Sequence, residues 1–386
     1  MIVAANVMAV AGAGAAEIGD PGSPSTIDVH GFVSQGYIKS TANDYLVDSS
    51  GGGSFEFSEA GLNFTVQPLD RLSIGVQLFA YNLGTSGNFT MRADWFYLDY
   101  HFRDWLGIRA GRVKLVYGLY NDVSDIDAAR TPILLPSSIY PLTNRNLLFG
   151  VQGGEIYGYA RIGRAGALEY RAMGGAIDIP LPSQIGQSTE ASNIDIPYLA
   201  AGRLMWETPV EGLRLGVSGV VLRLNEDLFF PAYSATESAR DTLYSYVASI
   251  EYVAHDLQLA AEYAQARNEV RELAPTPTRV PTVVSSGGYA LATYRVARWF
   301  EPGAYFSFTY ANRNLGAQSD TLVNGMLTTN DENVQDDLAG TLRFDINSFW
   351  IVKLEGHYMH GTEALGTVPT AAVNWGLFLI KTTGYF

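Results

Sequence analysis

The chain contains no cysteine among its 386 residues. Disulfide staples, thiol nucleophiles and thiolate metal sites are therefore excluded, while the redox compartment stays open. Nowhere inside it is there an apolar run of 18 or more residues, so a bundle of membrane helices is excluded as well. Lysine is scarce: the 25 basic residues comprise 21 Arg and 4 Lys, the latter being Lys39, Lys114, Lys353 and Lys381. Positive charge is in deficit overall, with a formal net charge of -14 that makes nucleic acid an unsuitable partner. The mean hydropathy of +0.04 does not argue for a water-soluble protein. Strands with one lipid-facing and one water-facing side average to about that value.

What is present is glycine (40), tyrosine (23) and a rhythm. Strand-like stretches of roughly 10 to 15 residues alternate apolar with polar side chains, as tilted bilayer-crossing strands do. Residues 60–66 are apolar at even numbers (Leu62, Phe64, Val66), and 72–78 mirror them across a tight turn. The pattern returns at Leu213/Leu215/Val217 against Arg214/Gly216/Ser218, and at Leu257/Leu259/Tyr263 against Gln258/Glu262. It recurs at Phe306/Phe308 against Ser307/Thr309, Leu342/Phe344 against Thr341/Arg343, and Val352/Leu354 against Lys353/Glu355/His357. The gaps between stretches alternate short and long: seven tight turns and eight polar loops, hence about sixteen strands with both chain ends on the short-turn side. The expected fold is all-β, a transmembrane antiparallel β-barrel over residues 27–386, wide enough to enclose water.

Residues 1–16 are apolar and small, with Ala13-Gly14-Ala15 as a cleavage candidate; they read as a signal peptide, truncated because no basic segment precedes it. Residues 17–26, rich in Pro, Gly and Ser, are expected to be flexible. Aromatic residues gather near strand ends: Trp95 to Tyr100, Trp105, Trp206, Tyr289, Trp299-Phe300, Phe349-Trp350 and Tyr385-Phe386, as in interfacial girdles. The parity of Arg92 to Tyr100 conflicts with itself, because Trp95 and Tyr97 compete with Phe96 and Leu98 for the lipid side; a bulge would reconcile them.

The longest loop, residues 118–147, follows the fifth strand. Loops of this length usually serve function. Val123, Ile126, Ile133, Leu134, Leu135 and Ile139 would let it pack, and folding inward would bury them against the barrel wall and narrow the lumen. The run Ala110-Gly111-Arg112-Val113-Lys114-Leu115-Val116-Tyr117-Gly118-Leu119-Tyr120, this loop and the terminal Phe386 together resemble the Gram-negative outer-membrane porins, general and phosphate-selective groups included. The resemblance in layout covers nearly the whole chain. It implies a bacterial outer-membrane location, an inward-folded third external loop as constriction, a homotrimer, and passive diffusion of small hydrophilic solutes and ions without a cofactor. Carried over residue by residue, Asp122, Asp125, Asp127 and Arg130 sit on the constriction loop. Arg112 and Lys114, with Arg92, Arg171 and Arg203 on neighbouring strands, would line the wall. Opposed rims of this kind orient dipolar solutes. Phosphate selectivity is at odds with a chain of four lysines, and the net charge points to a weak cation preference. The alternatives are a channel specific for a sugar, carboxylate or phosphate, or an outer-membrane enzyme or adhesin on a closed barrel.

No enzyme is expected. His357 and His360 are three apart on a strand and point to opposite faces, so they do not chelate one metal ion. No serine and histidine stand out at matching parity with an orienting group.

Overall fold

The computed structural model describes residues 16–19, 23, 26–48, 50–84, 87–142, 150–178, 190–230, 235–274, 282–313, 321–323, 326–328, 331–365 and 371–386. The expected signal peptide lies almost wholly outside them. Sixteen long strands follow one another: Ile27–Ser40 (β1), Ser54–Leu69 (β2), Leu72–Leu83 (β3), Arg92–Arg103 (β4), Leu106–Val113 (β5), Val151–Arg161 (β6), Ala167–Asp178 (β7) and Glu190–Glu207 (β8). The second half comprises Leu213–Phe230 (β9), Ala235–Ala254 (β10), Leu257–Ala274 (β11), Val283–Tyr294 (β12), Phe300–Tyr310 (β13), Val334–Asn347 (β14), Trp350–Gly361 (β15) and Asn374–Tyr385 (β16). Each pairs antiparallel with its neighbour, and β16 returns to β1 in register from Leu377 opposite Ser40 to Tyr385 opposite Phe32. The result is a closed sixteen-stranded antiparallel barrel, in which no sheet edge is left open. Ala16–Ile18 forms a short strand on Ile27–Val29, beside the terminal residue Phe386, which exchanges two backbone hydrogen bonds with Gly31.

Burial is inverted relative to a water-soluble domain. Ser34, Gln77, Glu155, Arg203, Glu262, Lys353, Glu355 and Lys381 are buried, whereas Leu62, Ile74, Leu98, Val217, Phe306, Leu338 and Leu342 are exposed on the outer face. In water such an outer face would be an aggregation surface. In a bilayer it is the required one, and the chain is accordingly a membrane-spanning barrel. Two belts of exposed aromatics border the apolar band. Tyr100, Trp105, Trp206, Tyr294, Trp299 and Trp350 mark the short-turn end, and Phe55, Tyr198, Tyr246, Tyr310, Tyr358 and Phe378 the long-loop end.

The conflicting parity in β4 is resolved by a register shift. Gln77 faces Trp95 but Leu78 faces Ala93, so Asp94 is the extra residue. Below the shift Phe96 and Leu98 turn outward, and Trp95 stacks on Tyr97 (5.3 Å, 15°) on the inner side. Those two rings therefore do not belong to a girdle. Neither does Tyr289, which is buried on the inner face of β12.

Inward positions are polar toward the short-turn end but apolar further along. Ile38, Phe57, Leu83, Ile196, Leu199, Val220, Leu222, Val247, Leu377 and Leu379 all face inward and are buried. An inner face lined with apolar side chains needs something to cover it. The segment after β5 supplies Leu115, Val116, Ile133, Leu134, Leu135 and Ile139 to the same two clusters.

Candidate functional site

Residues 114–142 leave β5 and run through two short 3-10 turns, Asn121–Val123 and Asp127–Ala129. The turn at Gly118 has φ +57, and a Cβ there would meet the Tyr140 hydroxyl at 2.3 Å, so glycine is required on both counts. The neighbouring backbone is tied to the wall. The Gly118 N–H donates to Ser218 Oγ on β9 (2.9 Å), and the Leu119 N–H to Glu262 Oε1 on β11 (2.9 Å). Glu262 also accepts from the hydroxyls of Tyr289 (2.8 Å), Ser249 (2.6 Å) and Tyr140. Burial, together with the nearby Glu262 carboxylate, pushes the Tyr140 phenol well above its ordinary pKa, keeping it a donor.

The three aspartates each meet basic groups. Asp122 Oδ2 accepts from Arg171 on β7 (2.7 Å) and Arg203 on β8 (2.8 Å). Those arginines are shared with Glu155 and Glu169 respectively. Burial opposes ionisation of Asp122, but the two guanidiniums outweigh it and hold the carboxyl well below the usual range. Asp125 bonds Lys114 and accepts from Gln77 Nε2 on β3 (2.8 Å). Asp127 accepts from Lys353 Nζ on β15 (2.9 Å) and Thr383 Oγ1 on β16 (2.6 Å), with Lys381 Nζ and Arg130 each at 3.7 Å. Burial again opposes ionisation, and Lys353, Lys381 and Arg130 reverse it, so Asp127 too is held well below the carboxylate range.

Backbone bonds complete the attachment. Lys353 Nζ donates to the carbonyls of Asp127 and Arg130 (2.7 Å each), and Arg343 on β14 donates to that of Ala128 (2.7 Å). Glu355 on β15 accepts the N–H groups of Ile133 (2.7 Å) and Leu134 (2.9 Å). Thr131 meets Glu301 on β13, and Ser138 Oγ donates to the Gly288 carbonyl on β12 (3.2 Å).

Of the residues singled out in the sequence, Asp122, Asp125, Asp127, Arg130, Lys114, Arg171 and Arg203 come together. Arg112 and Lys114 do not form a wall opposite the loop. The strand ends at Val113, and Lys114 is already part of the turn, bonding the Asp122 carbonyl (2.9 Å) as well as Asp125. Arg112 Nε reaches sideways to the carbonyl of the bulged Asp94 (2.9 Å). Arg92 is exposed at the first position of β4 and takes no part in these bonds. Lys353, Lys381, Glu355, Glu262 and Arg343 went unnoticed as site residues. No spacing in the sequence marks them; only the fold brings three of the four lysines (Lys114, Lys353, Lys381) within 4 Å of an aspartate of this segment. His357 and His360 do face opposite sides. His357 is buried between Asp337 (2.9 Å) and Glu355 (3.1 Å), and His360 is exposed beside Asn374.

Comparison with known proteins bears on the fold. No family model matches the chain, and no curated protein does. Among solved structures it is similar to the outer-membrane expressed OmpT of Vibrio cholerae, with TM-score 0.60 and 14% identity over 94% of this chain and 98% of that one. The Salmonella typhi OmpF complex with daunomycin gives TM-score 0.57 and 12% identity over 96% and 100% of the two chains. An anion-selective porin from Comamonas acidovorans gives 0.54 and 10% over 93% and 99%. The barrel thus shares its fold with outer-membrane proteins that include Gram-negative porins. The exclusion of an enzyme does not stand: the likeness to OmpT overturns it. Those structures are described as an outer membrane protein and not as a channel, and likeness at 14% identity shows the fold alone. Enzymatic activity is left open by it.

Proposed function

We propose that the protein is a porin, a water-filled channel for passive diffusion of small hydrophilic solutes and ions, with residues 114–142 folded into the lumen as its constriction. The observation that carries this reading is the attachment of that segment. It bonds inward-facing side chains of β3 and of nearly every strand from β7 to β16, which lie around the closed wall. A loop lying over the outside of the barrel would not meet residues of the inner face on so many strands.

The charge pattern supports a channel of weak selectivity. Around the segment six basic groups (Lys114, Arg130, Arg171, Arg203, Lys353, Lys381) answer six acidic ones (Asp122, Asp125, Asp127, Glu59, Glu155, Glu169). Glu251, Glu262, Glu301 and Glu355 also bond the segment, against one further cation, Arg343, so the surplus at the segment is acidic and supports a weak cation preference. A homotrimer is part of the proposal; one of the similar Vibrio cholerae OmpT structures is a trimer form.

Single-channel recording of purified protein in a planar bilayer tests this. Discrete conductance steps, grouped in threes, with a small reversal potential under a salt gradient are expected. A correctly folded but silent barrel would overturn the channel.

A further inference from the structure

The polar balance around residues 114–142 leaves one group incompletely answered. Arg130 has a side chain only 10% exposed. Its terminal nitrogen Nη1 donates to two neutral carbonyls, those of Pro132 (3.2 Å) and Ile133. Its nearest carboxylate, Asp127, is 3.7 Å away and already accepts from Lys353 and Thr383. Its Nε is buried with no hydrogen-bond partner. A buried guanidinium donor left unmade costs free energy that an incoming anion would recover.

Arg130 also lines a pocket between this segment and the wall; Tyr45, Phe57, Phe79, Leu134 and Tyr140 form its apolar side, while Glu59, Asp125 and Lys381 are the other charged groups on it. Tyr45 comes from the first long loop, Phe57 and Phe79 from the inner faces of β2 and β3, and Leu134 and Tyr140 from the segment itself. All five are 8% exposed or less. An aqueous barrel interior is ordinarily polar. Four aromatic rings around a cavity supply offset-stacked or edge-on partners for another ring. The other cation on the pocket, Lys381, is occupied: it bonds Glu59 at 2.7 Å and lies over the Phe57 ring at 5.1 Å. Asp125, the acidic group beside it, is held by Lys114 and Gln77.

We infer that this pocket is a binding subsite for a small aromatic carboxylate, its ring between Phe57, Phe79 and Tyr140 and its carboxylate on Arg130. Resting on the reading of the barrel as a channel, the inference makes that channel selective for one solute class. The ring supplies the apolar contact and the carboxylate the missing acceptor, so neither half alone suffices.

The test uses the whole protein with three probes: benzoate, acetate (the head without the ring) and benzyl alcohol (the ring without the charge). In single channels, benzoate is expected to reduce the current saturably at concentrations where acetate and benzyl alcohol do not. Arg130→Gln is expected to raise the half-blocking benzoate concentration by about tenfold, the usual loss for one hydrogen bond to a charged group. Phe79→Ala, on the wall and away from the loop's attachments, is expected to weaken benzoate severalfold, so misfolding of the Arg130 variant would not spare the idea. Equal block by acetate, or by benzyl alcohol, would overturn it. Conducting channels indifferent to benzoate would overturn the subsite while leaving the channel intact. Calorimetric titration of the detergent-solubilised protein separates the two failures. Benzoate binding that Arg130→Gln weakens, in a barrel that does not conduct, would support the subsite and remove the channel. No binding in a silent barrel would remove both.

Discussion

Lys353 Nζ lies 2.9 Å from Asp127 Oδ1, with both side chains withdrawn from solvent (0% and 1% exposed). The lysine comes from the wall strand β15 and the aspartate from the segment 226 residues earlier. The same ammonium takes three backbone carbonyls of that segment, at Asp127, Arg130 and, at 3.4 Å, Pro132. One wall cation thus determines the path of the turn as well as pairing its charge.

Replacing Lys353 by Met is therefore expected to cost about 3–5 kcal/mol, the usual consequence of leaving one member of a buried pair uncompensated. Asp127→Asn in the same background should restore much of it. The check is a double-mutant cycle on urea unfolding of the refolded barrel. Strictly additive effects would mean that the two groups do not meet.

Neutralising Asp122, Asp125 and Asp127 together by Asn is expected to leave Arg171, Arg203, Lys114 and Lys353 unanswered and to turn the channel toward anions. Reversal potential under a tenfold salt gradient reads the change. An unchanged sign and size would remove the segment from the conduction path.

Deleting residues 131–141 is expected to enlarge the single-channel conductance, because Ile133, Leu134, Leu135 and Ile139 would no longer cover the apolar inner face. Refolding is confirmed first by circular dichroism. The same conductance in a folded barrel would place the segment outside the pore.

Acid is not expected to release the segment. Asp122 and Asp127 have depressed folded-state pKa values, so their contribution is present above the unfolded carboxylate pKa and lost only as pH falls through the folded one. That value lies well below the usual range for both, so pairing persists at pH 4. Conductance recorded at pH 7 and pH 4 checks this. A step between them that Asp122→Asn abolishes would contradict the pairing.

Charge on the outer face should be costly where charge on the inner face is not. Phe306→Lys, at an exposed position of β13, is expected to destabilise the lipid-embedded barrel by about 2–4 kcal/mol. At Thr309, of inward parity on the same strand and only half-buried, Lys should cost less. Equal penalties at the two sites would mean that the faces are wrongly assigned.

The strand number, the alternation of short turns with long loops and the outward face of nearly every strand were legible in the chain. They depend on local periodicity and turn chemistry, and a period of two assigns each side chain to lipid or lumen once the strand is recognised. Even the irregularity at Asp94 left a trace, as the conflict between Trp95/Tyr97 and Phe96/Leu98. The aspartates of the long loop and Arg130 could be named from the same linear reading, because they sit together in one stretch. Their partners could not. Arg171 and Arg203 looked like marginal wall positions, and Lys353, Lys381 and Glu355 like ordinary members of alternating strands. Nothing local marks Lys353 as the residue that meets Asp127. Only closure of β16 onto β1 brings strands from the far end of the chain around to the loop that follows β5. The pairing energy of a buried charge depends on that three-dimensional proximity and on the water excluded by it, neither of which is written in sequence spacing.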